Sequence, residues 1–501
     1  MNIRNILLES TARDPGKEFV IFRDDKLTYG EFSEKVNRLA NSLRQLDILP
    51  AQKISLLMYN SIEYLVSYFA IASVGATAVP LNFAFTAHEI AYHLNDSDSV
   101  AVISDNNLLP KVKKAEPEVP GLKHIITAGP GEKLNLPGLI EAGSPREEIA
   151  SRRPEDVMHL IYTSGTTGFP KGAMITHGNI AWMVETLNKF YGEKPDDLFV
   201  SALPLFHAYG KLQSFLSPVN IGATIILLER FDPEEVMKTI HEQKATVFFG
   251  VPTMYNLMVN SPNVESYDLT SLRICVSGGA SLPVEVLNSF KEKADVSIAE
   301  GYGLSETTVL THCNPLHGLQ KAGSIGPTIP GVEAKVFSEE DEELPIGEVG
   351  ELVVKGPNIM KGYYQKEKET EEAMRQGWLH TGDLVKKDQD NYYYVVDRIK
   401  DMYIRGGRNV YPREIEEVLF AHPKVSEAAV IGIPDEKYGE QGKAFVVLSQ
   451  GVQASEEEIM NYLGERVAKY KLPQSLQFVE ELPKNTVGKV LKRELRASYM
   501  Q

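Results

Sequence analysis

Cysteine is scarce in this 501-residue sequence, which contains only Cys275 and Cys313. Neither cysteine has the spacing of a metal-ligand set, so we expect two buried free thiols in a reducing compartment. Positive charge is also in short supply, since 52 Lys and Arg residues face 68 Asp and Glu residues and the net charge is −16. This balance argues against a general binding surface for nucleic acid or for an anionic membrane.

Long uninterrupted apolar runs are absent as well. The most apolar region, residues 201–228, is interrupted by polar residues such as His207, Lys211 and Gln213, and residues 1–18 have no signal-peptide core. We therefore expect a cytoplasmic protein with at most peripheral membrane contact. The composition, 43% hydrophobic and 24% charged, is ordinary for a globular protein, and the length predicts two or more domains.

Short strands alternate with helices in two stretches of the chain, residues 53–128 and 223–293. This alternation predicts parallel sheets that are covered by helices. Residues 348–396 instead contain glycine-rich β segments. The predicted fold class is therefore α/β, with two related parallel-type halves and a β-rich part in one large domain.

A charged connector, residues 397–401, interrupts the apolar pattern, and we predict a domain boundary there. The expected domains are an N-terminal domain of residues 1–398 and a small, mobile α+β C-terminal domain of residues 399–501. Within the second, a helix is predicted at 455–470, with Ser455 as its N-cap and a glutamate three residues later.

Residues 161–178, between the two α/β halves, contain many groups that can bind an anion and few that can pack in a core. Glycines allow a tight backbone that presents N–H groups to phosphate oxygens, hydroxyls add donors, and a lysine adds charge. A Ser/Thr/Gly-rich surface turn rarely carries Thr-Thr and Gly-x-x-Lys-Gly between two apolar strands. A Walker loop needs Ser or Thr after its lysine, whereas Lys171 precedes Gly172 and a strand.

This stretch resembles the phosphate loop of the adenylate-forming family of acyl- and aryl-CoA synthetases, beetle luciferases and amino-acid adenylation domains. Three further stretches match the motifs of that family in order: Glu-Gly-Tyr-Gly-Leu-Ser-Glu-Thr at 300–307, Trp-Leu-His-Thr-Gly-Asp at 378–383 and Pro-Lys-Asn-Thr-Val-Gly-Lys-Val at 483–490. The resemblance covers essentially the whole chain. It is nearest to the bacterial fatty-acid–CoA ligases.

The resemblance implies an ATP site in which Tyr302 stacks on adenine, Ser305 bonds the α-phosphate and Asp383 takes the ribose hydroxyls. A carboxylate beside phosphates would be repelled unless a cation intervened, which suits Glu306 as a ligand of Mg²⁺. The implied ATP- and AMP-binding residues are Thr163, Ser164, Gly165, Thr166, Thr167, Gly168, Lys171, Gly279, Ala280, Glu300, Gly301, Tyr302, Gly303, Ser305, Asp383 and Arg398, with Thr163 and Glu306 at the metal.

The C-terminal motif makes Lys489 the implied catalytic lysine, acting with His207 and Glu306. When a carboxylate attacks the α-phosphate of ATP, two anions approach each other, and a nearby lysine stabilises the transition state. Lys400 matches the hinge position of the family. Residues Arg405, Gly406 and Gly407 match the hairpin that lines the tunnel for CoA.

His207 stands where amino-acid adenylation domains commonly carry an aspartate, so an amino acid is not the expected substrate. The implied acyl pocket, which has no buried charge, consists of His207, Tyr209, Phe249, Val251, Gly278, Gly303 and Val309. A medium- or long-chain fatty acid suits it. The expected function is an ATP- and Mg²⁺-dependent acyl-CoA synthetase that uses CoA as co-substrate.

Several alternatives remain open from the sequence. They are an aryl (coumarate-like) CoA ligase, an acyl-AMP ligase that loads a carrier protein, a luciferase-type adenylase and a nucleotide-binding regulatory protein without catalysis. Lys489, Glu306 and the intact loop argue against the last of these. The expected partners are small molecules, and the chain is expected to be a monomer or a homodimer.

Overall fold

The computed structural model describes residues 2–163, 170–449, 451–484 and 490–499. The helices within these residues are α1 (Arg4–Arg13), α2 (Tyr29–Gln45), α3 (Ile62–Val74), α4 (Ala87–Asp96), α5 (Leu109–Ala115), α6 (Leu136–Ala142), α7 (His177–Tyr191), α8 (Ala208–Lys211), α9 (Ser217–Ile221), α10 (Pro233–Gln243), α11 (Pro252–Val259), α12 (Val284–Ala294), α13 (Glu367–Ala373), α14 (Pro412–Phe420), α15 (Glu456–Gly464) and α16 (Lys492–Tyr499). A π-helical segment, Leu212–Leu216, joins α8 to α9.

The strands are β1 (Glu18–Phe22), β2 (Asp25–Thr28), β3 (Lys53–Leu57), β4 (Thr77–Pro80), β5 (Ser99–Ser104), β6 (His124–Thr127), β7 (Val157–Thr163), β8 (Lys171–Thr176), β9 (Leu198–Ser201), β10 (Thr224–Leu227), β11 (Val247–Gly250), β12 (Ile274–Ser277), β13 (Ala299–Tyr302), β14 (His312–Cys313), β15 (Glu333–Phe337), β16 (Val349–Lys355), β17 (Met374–Arg375), β18 (Trp378–Lys387), β19 (Tyr393–Arg398), β20 (Tyr403–Arg405), β21 (Arg408–Val410), β22 (Val425–Asp435), β23 (Gly439–Leu448) and β24 (Ser475–Phe478).

Two sheets of mostly parallel strands form the larger part of the fold, which confirms the predicted α/β class. The first has six strands in the order β6-β5-β3-β4-β7-β8, and β8 runs antiparallel to β7. The second has eight strands in the order β14-β13-β12-β11-β9-β10-β1-β2, with antiparallel pairs at its two edges. Helices follow the strands in both, as the alternation predicted.

The second sheet takes a strand from the start of the chain, which the sequence pattern did not predict. β1 pairs in parallel with β10, so that Val20 lies opposite Ile225. The Tyr29 hydroxyl, just after β2, donates a hydrogen bond of 2.7 Å to the carbonyl oxygen of Ala223. These contacts join the N-terminal segment to the later α/β half.

Local sequence explains where α2 and α3 begin. The Thr28 hydroxyl accepts a hydrogen bond from the backbone N–H of Glu31, and the Glu31 carboxylate accepts one from the backbone N–H of Thr28. This reciprocal cap satisfies two donors at the helix end. α3 buries nearly every side chain because it packs against α2 on one side and residues 203–216 on the other.

The remaining strands form two smaller sheets. In the β-rich part the order is β15-β16-β18-β17, and β19 pairs with β18. In the C-terminal part the order is β21-β20-β23-β22, with β24 parallel to β23, and residues 403–495 supply two hydrophobic clusters of their own. The helix expected at 455–470 was predicted too long: α15 ends at Gly464, because no buried residue follows Leu463 to continue its apolar face.

Both cysteines are buried and unpaired, as expected. In the part of the chain that the structure describes, no helix is long and apolar enough to cross a membrane.

Lys211 carries a buried amine at the end of α8. Its side chain is fully buried, and its Nζ has no hydrogen-bond partner among the described residues and lies 5.7 Å from the ring centroid of Tyr68. Burial lowers the pKa of this amine well below its usual 10.5. A lowered pKa in the folded protein means that stability is lost as the pH falls below 10.5.

Lys211→Met is therefore expected to stabilise the protein at neutral pH by about 1–3 kcal/mol, since methionine fills similar space without an amine to desolvate. Thermal melts of the wild-type protein and of Lys211→Met from pH 7 to 10.5 measure this difference in stability. The difference in melting temperature should narrow as the pH approaches 10.5. Lys238→Met, on the exposed face of α10 beside Glu242, is the matched control and should change little. If Lys211→Met is less stable than the wild-type protein at pH 7, the Lys211 amine has a hydrogen-bond or charge partner in solution.

Candidate active site

The ends of the Thr/Gly-rich loop are fixed by a β-hairpin. β7 and β8 pair so that Thr163 lies directly opposite Lys171. Lys171 is largely buried, and its Nζ lies 5.3 Å from the ring centroid of Tyr363. The two strands predicted to flank this stretch are thus present. The loop residues Ser164, Gly165, Thr166, Thr167 and Gly168 lie outside the described residues.

Glu306 meets Thr163 although the two are far apart in the sequence. The Thr163 hydroxyl donates a 2.8 Å hydrogen bond to Glu306 Oε1, and the Tyr363 hydroxyl donates a second bond of 3.0 Å to the same oxygen. Burial and the neighbouring Glu306 carboxylate raise the pKa of Tyr363, so its hydroxyl stays a donor. Two donors on Oε1 orient the carboxylate. Within the described residues, Oε2 accepts no hydrogen bond and is free for another ligand.

Tyr363 was missed by the sequence reasoning. It lies 57 positions from Glu306, outside the motifs that the resemblance covers, and reaches the site because it forms an isolated β-bridge with Ala173 on β8. No local signal identifies such a contact.

The described residues contain no group of three His, Cys, Asp or Glu side chains that could hold a metal ion. Mg²⁺ that binds together with a nucleotide commonly takes one or two protein carboxylates and completes its ligands with phosphates and water. Glu306 is the carboxylate with a free oxygen at this place, and Thr163 is beside it.

A second hydrogen-bonded group joins β13 to the β-rich part. The Tyr302 hydroxyl donates a 2.6 Å hydrogen bond to Asp383 Oδ2, while Arg398 Nε lies 2.9 Å from Asp383 Oδ1. The pairing of β18 with β19 sets Asp383 opposite Arg398. Asp383 holds the pKa of Arg398 above its usual value. The structure thus brings together three residues for which the resemblance implied adenine and ribose contacts.

The segment between β13 and β14 is tightly constrained. Ser305 opens a 3₁₀ turn that ends at Thr307. A Cβ atom at Gly303 would lie 2.0 Å from the carbonyl oxygen of Val309, so only glycine fits there. Val309 itself has a φ of 90°, which is rare for a β-branched residue, and such strain is common at functional sites. At Gly301 a Cβ would press on the Leu310 side chain at 3.1 Å.

Glu300 is buried at the end of the sheet rather than exposed to a ligand. Its Oε1 accepts a 3.1 Å hydrogen bond from the backbone N–H of Leu282, which anchors the turn that contains Gly279 and Ala280. Burial raises the pKa of Glu300 to about 7, opposed by the positive charge of Arg413. Gly279 has a φ of 82°, a conformation that favours glycine.

The side chains expected in the acyl pocket lie around the start of α8. His207 is the N-cap residue of that helix and is half-buried. The Tyr209 ring packs against Phe249, with centroids 6.4 Å apart, and its hydroxyl donates a 3.1 Å hydrogen bond to the carbonyl oxygen of Val276. A Cβ at Gly278 would lie 3.2 Å from the Tyr209 ring, and Val251 is buried beyond Gly279.

The residues expected at the CoA tunnel form a two-residue hairpin turn between β20 and β21. Gly406 and Gly407 have φ values of 55° and 79°, as a turn of the I′ type requires. A Cβ at Gly407 would meet nothing within 4 Å. Arg405 donates to the carbonyl oxygens of Tyr470 and Leu472, so in the described residues its hydrogen bonds stay within the C-terminal part.

Lys400, the expected hinge, is exposed in the turn after β19, and Lys489 lies outside the described residues. Next to the hinge, Asp397 accepts a 3.0 Å hydrogen bond from the backbone N–H of Arg413 at the start of α14. Asp401 forms a 3.1 Å ion pair with Arg496 on α16.

Two family models match separate segments of the chain. The family model of the AMP-binding enzyme matches residues 7–364, and that of the AMP-binding enzyme C-terminal domain matches residues 414–489. The chain belongs to the AMP-binding enzyme family. Its curated relatives include enzymes named as CoA ligases, so this AMP-binding enzyme is an AMP-forming acid–thiol ligase that acts on ATP, a carboxylic acid and CoA.

The relatives of this AMP-binding enzyme differ in the acid that their names give. A long-chain-fatty-acid–CoA ligase of Bacillus subtilis (strain 168) is 36% identical, over 98% of this chain and 94% of its own. A feruloyl-CoA synthase of an Amycolatopsis species is 37% identical, over 94% of each chain. The ATP-bound structure of MatB from Rhodopseudomonas palustris has a TM-score of 0.93 and 34% identity, over 100% of this chain and 99% of that chain. The two curated relatives are both named for forming a CoA ester, and the acids in their names differ.

Proposed function

We propose that this enzyme activates a monocarboxylic acid with an apolar body, first as acyl-AMP and then as acyl-CoA, in an Mg²⁺-dependent reaction. The observation that carries the proposal is the joint position of two groups: the Thr163–Glu306 pair, whose glutamate lies in the 3₁₀ turn Ser305–Thr307, and the Tyr302–Asp383–Arg398 group, whose tyrosine ends β13 three residues before that turn. The Thr163–Glu306 pair suits a metal-bound polyphosphate, and the Tyr302–Asp383–Arg398 group suits a nucleoside.

In the first half-reaction, a carboxylate oxygen of the acid forms a bond to the α-phosphorus of ATP, and the bond from that phosphorus to the β-phosphate oxygen breaks. Pyrophosphate leaves with the electron pair. Negative charge on the phosphoryl oxygens is stabilised by Lys171 and Lys489 and by the hydroxyl of Ser305. A bound Mg²⁺ would neutralise phosphate charge beside Glu306. Asp383 and Arg398 hold the ribose, and Tyr302 covers the base.

In the second half-reaction, the thiol of CoA loses its proton and attacks the acyl carbonyl carbon, and AMP leaves. Gly406 and Gly407 support a route for the thiol, because neither carries a side chain at the tip of the hairpin. Rotation of residues 399–501 about Lys400 would bring first Lys489 and then this hairpin to the acid. Free CoA is the proposed acceptor.

A medium- or long-chain fatty acid is the first candidate for the acid. The side chains that line the expected acyl pocket are mostly apolar: the Tyr209 ring, Phe249 and Val251. In addition, the B. subtilis fatty-acid ligase aligns over 98% of this chain. An aryl acid is the second candidate. It is favoured by the half-buried ring of Tyr209 in the pocket wall, on which a flat acid can stack, and by the Amycolatopsis feruloyl-CoA synthase, which aligns over 94% of this chain.

A pyrophosphate-release screen over C2 to C18 acids, aryl acids and amino acids tests this proposal, with and without CoA. For a fatty-acid enzyme, kcat/KM should rise roughly three- to fourfold per added carbon until the pocket ends, because each buried CH₂ contributes about 0.8 kcal/mol. Amino acids should be inert. A preference for acetate or a dicarboxylate would contradict the pocket assignment, and best activity with cinnamate-like acids would select the aryl candidate.

A further inference from the structure

Helix α4 ends beside the hairpin of β7 and β8, and two of its residues are hydrogen-bonded to that hairpin. The Tyr162 hydroxyl, on β7, donates a 2.8 Å hydrogen bond to Asp96 Oδ2. The Tyr92 hydroxyl donates a 2.9 Å hydrogen bond to the carbonyl oxygen of Pro170, just before β8. Because Tyr92 and Asp96 are four residues apart, they lie on the same face of α4. One face of this helix therefore holds both sides of the hairpin.

Both contacts lie one residue away from a residue of the candidate active site. Tyr162 precedes Thr163, whose hydroxyl is bonded to Glu306, and Pro170 precedes Lys171. Thr163 and Lys171 lie directly opposite each other in the hairpin. Groups that bind a ligand need neighbours that lock their position. The contacts from α4 thus limit how far the Thr163 hydroxyl and the Lys171 amine can move.

The Asp96 carboxylate is itself held in place by an ion pair. Lys366 Nζ lies 3.2 Å from Asp96 Oδ1, and this carboxylate raises the pKa of Lys366. Burial, together with the Asp96 charge, raises the pKa of Tyr162, so the tyrosine hydroxyl stays a donor. Only 14% of the Asp96 side chain is exposed, and a hydrogen bond to a charged group is stronger there than in water.

The ion pair also connects α4 to Glu306. Lys366 belongs to the segment 361–366, whose backbone donates hydrogen bonds of 2.9 Å and 2.8 Å to carbonyl oxygens of β8. Tyr363, in the same segment, donates the hydrogen bond that orients the Glu306 carboxylate. Asp96 therefore anchors the end of the segment that positions the expected metal ligand, as well as the strand that carries Thr163.

We propose that Asp96 and Tyr92 are positioning residues for ATP, which hold Thr163 and Lys171 in place for its metal-bound polyphosphate. This inference rests on the proposed function, and both residues lie outside the four motif stretches of the sequence. In this role they act on neither the acid nor CoA. A contact that supports ATP equally in the bound complex and in the transition state lowers KM and leaves kcat unchanged. Loss of either residue should therefore raise KM for ATP alone.

Asp96→Ala in the full-length enzyme should raise KM for ATP about tenfold in acyl-AMP formation, as loss of a hydrogen bond to a charged group allows. Tyr92→Phe removes a neutral hydrogen bond and keeps the ring, so it should raise KM for ATP about threefold. Thioester formation from supplied acyl-AMP should be unchanged in both variants, because polyphosphate takes no part in it. Equilibrium titrations without an acid measure binding directly: both variants should lose affinity for Mg²⁺–ATP and keep it for AMP.

Asp98→Asn and Tyr364→Phe are the matched controls. The exposed Asp98 carboxylate accepts a 2.9 Å hydrogen bond from the Tyr364 hydroxyl, so these variants change the same kinds of group next to α4 and should keep the wild-type KM for ATP. If Asp96→Ala raises this KM no more than Asp98→Asn does, or lowers both half-reactions equally, Asp96 serves the fold alone and the inference is wrong. If the wild-type enzyme releases no pyrophosphate with any acid while Asp96→Ala still loses affinity for Mg²⁺–ATP, the positioning role stands and the failure lies with the proposed function.

Discussion

Lys489→Ala is expected to lower the rate of acyl-AMP formation by roughly 10²–10³-fold, and to leave thioester formation from supplied acyl-AMP largely intact. The lysine is proposed to act where a carboxylate and a phosphate approach each other, and its charge stabilises the transition state more than the bound substrates. Attack of a thiol on the acyl carbonyl brings together no such pair of anions. ATP–pyrophosphate exchange measures the first half-reaction, and acyl-CoA formation from synthetic acyl-AMP measures the second.

Lys484→Ala provides a matched control from the same motif. Lys484 forms an ion pair with Glu427 on β22, so its charge is already engaged within the C-terminal part. Its loss should change either half-reaction by little, because a partly exposed ion pair contributes at most about 1 kcal/mol. Equal losses of both half-reactions in Lys489→Ala, or an effect in Lys484→Ala as large as that in Lys489→Ala, would remove Lys489 from its proposed role.

Glu306→Gln is expected to raise the Mg²⁺ concentration needed for half-maximal adenylation by at least roughly tenfold. Glutamine keeps a carbonyl oxygen that can accept the hydrogen bonds from Thr163 and Tyr363, so the change removes the charge and little else. Mg²⁺ titrations of pyrophosphate release at fixed ATP measure the effect. The thermal shift produced by Mg²⁺ and ATP together provides a readout that does not depend on turnover.

Tyr363→Phe separates the charge of Glu306 from its orientation. This variant removes one hydrogen bond to Oε1 and keeps the carboxylate, so its Mg²⁺ requirement should rise less than that of Glu306→Gln. An unchanged titration in Glu306→Gln would show that another group binds the metal. A larger effect in Tyr363→Phe than in Glu306→Gln would mean that the tyrosine acts on the nucleotide directly.

Local sequence was sufficient for most of the elements and for the order of the motifs. The alternation of strands and helices over 53–128 and 223–293 was predicted because strand and helix periodicities are read within a few residues, and the structure has β3 to β6 in the first stretch and β10 to β12 in the second. Ser455 was predicted as the N-cap of α15, and its hydroxyl accepts a 3.1 Å hydrogen bond from the backbone N–H of Glu458 three positions later. The membership of the chain in the adenylate-forming family also followed from sequence, since each motif is contiguous.

Contacts between distant segments were decided by the tertiary structure alone. β1 joins the second sheet next to β10, and Tyr363 reaches Glu306. A periodic pattern shows which face of an element is apolar, but it does not specify which other element covers that face. That choice depends on the packing of the whole chain, in which residues as far apart as Lys53 and Tyr364, 311 positions, are in contact. The sequence by itself thus determined the family and the local elements of this protein, and packing determined how they meet at the site.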